Sequence, residues 1–250
     1  MQPFLTLMRR ELSAYFLSLT GYIIIAAALF MMGFSFVVLL VKLRLEPTPM
    51  PITEMFYITQ FFWLIVLLAT PMITMRLFAA EKATGTFETL MTTPVRDLEV
   101  VLAKFFSALV FYAVMWLPLL GCILVVRYYT TDPNSLDAGV IATTFLGILL
   151  LGCVFLSLGC CASALTRSQV IAAMLSLVLG ATLFMLSFLA DQFPLQPGWQ
   201  TQALSFFALG EQMRDFSRGI IDTRAIVFYT TLTFFFLFLT LRVVESRRWK

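Results

Sequence analysis

The chain has 250 residues, 60% of them hydrophobic and 12% charged, and its mean hydropathy is +0.94. Soluble domains carry about a quarter charged residues, so this composition excludes an ordinary soluble enzyme or binding module. The net charge of +3 is small, and the basic residues gather at the ends of apolar stretches, which is membrane topology and not a nucleic-acid surface.

A bilayer core about 30 Å thick needs about 20 apolar residues per helical crossing. Six stretches qualify: residues 21–41, 56–79, 98–126, 140–165, 170–190 and 225–244. The expected fold is therefore an all-α membrane protein, with one transmembrane domain over residues 1–250. Six crossings return both termini to one side. Eleven of the 17 Lys and Arg residues fall at the termini and the even-numbered connections, against six on the other side. The positive-inside rule then puts both termini in the cytoplasm. The first apolar run is too long for a signal-peptide core and no convincing small-residue cleavage site follows it, so no cleavable signal is expected.

At the N-terminus, Phe4, Met8, Leu12, Tyr15, Phe16 and Leu19 keep a helical stripe, while Arg9, Arg10, Glu11, Ser13 and Ser18 lie mostly off it. Residues 1–20 should thus form an amphipathic helix in the interface plane, apolar side down, turning into the membrane near Thr20 and Gly21. Span one holds no charge and leaves the membrane at Lys42 and Arg44. Pro47, Pro49 and Pro51 then favour an extended strap. Pro71 in span two and Pro118 in span three each remove a helix hydrogen bond and invite a kink.

Between spans two and three, residues 81–94 are a polar interruption on the cytoplasmic side. Thr86 can cap a short helix there, and Glu88 in its first turn suits the helix dipole. Phe87, Leu90 and Met91 share one face, and Pro94 ends the helix. An apolar face outside the membrane must press against the bilayer surface, its own loop or a partner.

Gly159 and Ser163 in span four, and Ala172, Ser176 and Gly180 in span five, recur at four-residue spacing. Small residues in this register let helices approach closely, which predicts a tight contact within the chain or between two copies. Residues 166–169 make the only turn between these spans, so they are antiparallel neighbours. The extracytoplasmic stretch 191–224 contains the breakers Pro194, Pro197 and Gly198 and a candidate anchor, Trp199. Phe206, Leu209, Met213, Phe216 and Ile220 then line one helical face, opposite Glu211, Arg214, Asp215 and Arg218, with Gly219 as a stop. This is an amphipathic helix on the outer surface or a re-entrant element capping the bundle. Span six ends in Arg247, Arg248, Trp249 and Lys250, an inner-face anchor.

No phosphate-binding loop, nucleophile elbow, zinc-protease motif or Cys-x-x-Cys pair occurs. There is no His, and Cys122, Cys153, Cys160 and Cys161 fall inside spans, where thiols pack as small apolar groups. No catalytic, cofactor-binding or metal site is expected. Charges in mid-span would mark an ion path, but Arg76, Lys104, Arg127 and Arg242 sit at span ends, where they can snorkel. A proton-coupled carrier is therefore disfavoured, and uphill movement would need energy from outside the chain.

The pattern Glu81-x-x-x-Gly85-Thr86-x-Glu88-x-Leu90-x-x-Thr93-Pro94, followed by Val100 and Lys104, resembles the cytoplasmic signature of type-2 ABC exporter permeases. Arg10-Glu11-Leu12-x-x-Tyr15-Phe16-x-Ser18-x-x-Gly21-Tyr22-Ile23 is similar to the start of the gliding-motility permease branch. Arg214-Asp215-Phe216-x-Arg218-Gly219-Ile220-Ile221-Asp222 and the terminal Glu245-Ser246-Arg247-Arg248-Trp249 are similar to its end. The resemblance implies that Glu81, Gly85, Thr86, Phe87, Glu88, Leu90, Met91 and Pro94 form a coupling helix on a separate ATPase. It also implies a connecting helix at 1–20 that includes Arg9, Arg10, Tyr15 and Phe16. Two ATPase copies, holding the ATP and Mg, would serve a homodimer or a pair with a related permease in a bacterial inner membrane. An extracytoplasmic accessory subunit is compatible with this plan, and lipid is the remaining partner. Glu81 and Glu88 would pair with basic residues of the ATPase or cap and solubilise their own helix. The other reading is a membrane anchor or assembly platform for a secretion or gliding-type complex.

Overall fold

The computed structural model describes residues 2–45, 54, 56, 59–87, 96–129, 138–192 and 207–246. Among these residues all regular structure is helical. In chain order the helices are α1 (Gln2–Phe16), α2 (Leu19–Leu45), α3 (Gln60–Thr74), α4 (Ala79–Thr84) and α5 (Asp97–Tyr129). They continue with α6 (Ala138–Leu165), α7 (Gln169–Gln192), α8 (Leu209–Ser217) and α9 (Thr223–Glu245). Six segments are long and apolar enough to cross a membrane: Leu19–Lys42, Gln60–Thr84, Asp97–Val125, Ala138–Leu165, Gln169–Leu189 and Thr223–Glu245. The expected spans are all present, and the chain is a multi-pass membrane protein. Of the residues singled out on the outer side, Pro47, Pro49, Pro51, Trp199 and Phe206 lie outside the described residues.

The hub is α6, with 72% of its apolar stretch buried against 22% in each of α7 and α9. Close approach explains that burial. A Cβ on Gly159 would lie 2.0 Å from the Thr74 hydroxyl, and one on Gly147 would lie 3.0 Å from the Phe216 ring. Glycine is therefore what admits α3 and α8 to the surface of α6. The small-residue pattern marked tight contacts, but α7 is not the partner of Gly159 and Ser163. Both turn to the second span. On α7, Gly180 faces Phe155 of α6 and Leu67 of α3, while Ala172 and Ser176 are buried. Spans four and five remain packed neighbours, joined by the short turn at 166–168.

The second span is interrupted between α3 and α4, a turn after Pro71. The helix end frees backbone groups that lipid cannot satisfy. Ser163 of α6 supplies the partners: its hydroxyl accepts from the N–H of Phe78 and of Ala79, each at 3.1 Å, and donates to Met75 O. By contrast α5 continues through Pro118 without a break.

Two amphipathic elements pack against the spans. The apolar face of α1 packs on α5. Tyr15 stacks on Phe111 at 4.9 Å, Phe16 and Phe4 meet Phe111 and Phe106, and Tyr15 Oη donates to Ile73 O at 2.8 Å. Helix α8 is a capping element: Leu209, Met213 and Phe216 are buried, and Thr143 Oγ1 donates to Phe216 O. Ile220 is 54% exposed, because Gly219 at φ 86° turns the chain before the stripe can continue.

Candidate functional site

The candidate site is the corner where α1, α4 and the start of α5 meet, on the face of the bundle that carries α1. Each element has a local reason to be there. Gly21 permits the sharp elbow from α1 into α2, since a Cβ there would lie 2.0 Å from Tyr15 O. Helix α4 stops at Gly85, whose φ of 75° is the left-handed conformation of a C-terminal cap. Asp97 and Glu99 in the first turn of α5 suit its dipole, and Glu99 also accepts from Arg96 N–H.

Four charges close the corner. Lys104 Nζ lies 2.9 Å from Glu81 Oε1 and 3.1 Å from Glu11 Oε1. Arg10 NH2 lies 3.0 Å from the same Glu81 oxygen and 2.9 Å from the same Glu11 oxygen. Cations and carboxylates therefore alternate around a ring that joins three helices. The Lys104 side chain is only 3% exposed and also sits over the Phe78 ring. Burial opposes ionisation of Glu11, but Lys104 and Arg10 together outweigh it and hold the carboxyl below the usual carboxylate range. Hydrogen bonding to Glu11 raises Arg10 in turn. Glu81 Oε2 is enclosed without a hydrogen-bond partner among the described residues.

The sequence-marked residues divide at this corner. Glu81 faces the chain's own cations. Gly85 and Thr86 are exposed, and Thr86 Oγ1 shares a hydrogen bond with Thr84 at 2.9 Å. Phe87 is buried beneath Lys82, whose Nζ lies 5.2 Å from its ring and donates to Ala164 O at the end of α6. Glu88, Leu90, Met91 and Pro94 lie outside the described residues. In α1, Arg9 is exposed, Arg10 half-exposed, and Tyr15 and Phe16 pack on α5. Glu11, which the helical pattern places mostly off the apolar stripe, occupies the covered face in register with Leu7 and Tyr15. A single acid among apolar residues at four-residue spacing was the available signal.

On the opposite face, two features involve α8. Arg218 clasps Glu54 in a two-point pair, Nε at 2.9 Å and NH2 at 2.7 Å, and Glu54 is almost fully buried. A groove of about 890 Å³ runs between α3, α7 and α8.

A family profile described as ABC-2 family transporter protein matches residues 36–231, most of the chain, from within α2 to within α9. The chain belongs to that family. An ABC-2 protein is the membrane component of an ABC transporter, acts as its permease and works with an ABC ATPase subunit. The matched region takes in the α4 corner, the Glu54–Arg218 clasp and the groove, while α1 precedes it. No curated protein matches this ABC-2 chain.

Proposed function

We propose that the chain is the permease of an ATP-driven exporter and that residues 81–94 dock as a coupling helix on the ATPase. The observation that carries this reading is the ring of Arg10, Glu11, Glu81 and Lys104. It fastens α1, α4 and α5 together at the base of the docking stretch, so a push there reaches three elements at once. The break between α3 and α4 gives the second span a place to bend. ATP can drive such a motion only if the docked ATPase binds two arrangements of the corner with different affinity.

On this reading the ATP and Mg reside in two ATPase copies, and none of that chemistry belongs to the permease. A second copy, or a related permease, completes the pathway; an accessory subunit would meet the α8 face. The distribution of basic residues supports a cytoplasmic side for the termini and the corner, with α8 outside, and the resemblance supports a bacterial inner membrane. The resemblance at 10–23, 214–222 and 245–249 supports the gliding-motility branch, without requiring a motility phenotype. Glu81 acts as a strut inside the permease, which leaves the ATPase contact to the exposed residues after it.

The test is co-purification with the ATPase. Ala83 and Thr86 are exposed, so an Ala83→Arg, Thr86→Arg variant should fold and lose the ATPase. Retention of a full complement of ATPase would overturn the docking assignment. Docking without stimulation of ATP hydrolysis by any amphiphile, glycan or peptide would favour the assembly-platform reading.

A further inference from the structure

The groove between α3, α7 and α8 has a direction. Its walls are apolar, with Trp63 of α3 and Phe184 of α7 meeting at 5.1 Å and Leu67 below them. Its polar groups collect at the α8 end, where Gln60, Glu211 and Arg214 form the mouth. From Gln60 to Leu68 the lining of α3 descends about 12 Å at the helical rise. That is less than half of a hydrocarbon core about 30 Å thick. The gradient therefore matches one leaflet: polar at the rim, apolar toward the middle. The volume of about 890 Å³ lies in the range of roughly 300–1,000 Å³ typical of ligand pockets.

The mouth carries both signs of charge. Among the described residues, the side chains of Glu211 and Arg214 form no ion pair or hydrogen bond, and both are exposed. They are one helical turn apart on α8, three residues along the chain. An anionic headgroup would satisfy Arg214 and be repelled by Glu211; a cationic headgroup would meet the reverse. A headgroup with both charges satisfies the two together.

We infer that this groove binds an amphiphile with a zwitterionic headgroup, its polar end between Glu211 and Arg214 and its apolar chain along Trp63, Leu67 and Phe184. The inference rests on the permease reading and names the class of cargo for it. It goes beyond that reading because the ATPase corner says nothing about what is moved.

The probes are three molecules with the same brominated hydrocarbon tail: a lysophosphatidylcholine, a fatty acid and an alkyl ammonium. Bromine quenches tryptophan fluorescence at short range, and Trp63→Phe identifies the contribution of Trp63. Saturable quenching by the zwitterion is expected, about tenfold tighter than by either singly charged probe, as suits one added charged hydrogen bond. Glu211→Lys should shift preference to the fatty acid, and Arg214→Glu to the ammonium. Both positions are exposed, so folding is spared. Equal quenching by all three probes, or no shift in the variants, would overturn the assignment. Absence of quenching with a disulfide between copies of a Met185→Cys variant would also overturn it, by showing that a second copy fills the groove. Loss of this selectivity with ATPase binding intact removes only the cargo class; loss of ATPase binding with selectivity intact removes the permease reading.

Discussion

Lys104 of α5 and Glu81 of α4 meet at 2.9 Å, with 3% of the lysine side chain and 18% of the glutamate side chain exposed. A buried ion pair is weak evidence of net stability, because desolvation offsets much of the attraction. Removing one partner is another matter, since the remaining charge is then stranded. Glu81 shares Lys104 with Glu11, so the lysine separates two carboxylates that bond the same two cations.

Lys104→Met should therefore destabilise the protein by about 3 kcal/mol, the range for stranding a buried charge. It should also release α1, seen as proteolysis within residues 2–16 in mild detergent. Arg10→Gln removes a half-exposed partner and should change stability by under about 1 kcal/mol. Thermal unfolding of the two variants side by side checks the order.

Acid should loosen the same corner. The folded-state pKa of Glu11 lies below its ordinary value of 4.5. Its ionised form thus stabilises the fold fully above that value, and the contribution fades as pH falls through the lowered one. The unfolding temperature should drop on acidification below about 4.5, and less steeply in Glu11→Gln, where this group no longer titrates. Equal slopes would remove Glu11 from the ring's energetics.

Two glycine substitutions should part company. In Gly159→Ala the new methyl meets Thr74, whose hydroxyl is held by Thr70 O at 2.8 Å. Overpacking of this kind costs roughly 1–3 kcal/mol. Gly121 has no atom within 4 Å of where a Cβ would stand. There, Ala should be neutral or add up to about 1 kcal/mol through helix propensity. Expression level and thermal unfolding of the two variants decide it.

The legible part of this fold was whatever one-dimensional hydropathy carries. The spans, the short turn before α7, the stop at Gly219 and the interruption after α3 lie on runs and breakers within a few residues of each other. The pairing of Glu11 with Lys104 spans 93 residues and that of Arg10 with Glu81 spans 71. Nothing local announces such partners, so the ring was missed although each member was in view. Gly159 and Ser163 illustrate the same limit. Their spacing signals a close approach, but a small side chain does not say which helix comes near. The apolar stripe of α1 does not by itself name α5 as its neighbour, because lipid and α5 present the same chemistry to it.

The most direct test of the coupling account is a photo-crosslinking residue at Thr86, in membranes that contain the ABC ATPase. Thr86 is exposed beside the ring, and Glu211 on the opposite face serves as the control position. A Thr86 adduct with the ATPase whose yield changes between ATP-bound and nucleotide-free states is expected, with none from Glu211. Failure of Thr86 to crosslink to the ATPase in either state, while the two proteins remain associated, would contradict coupling through this corner.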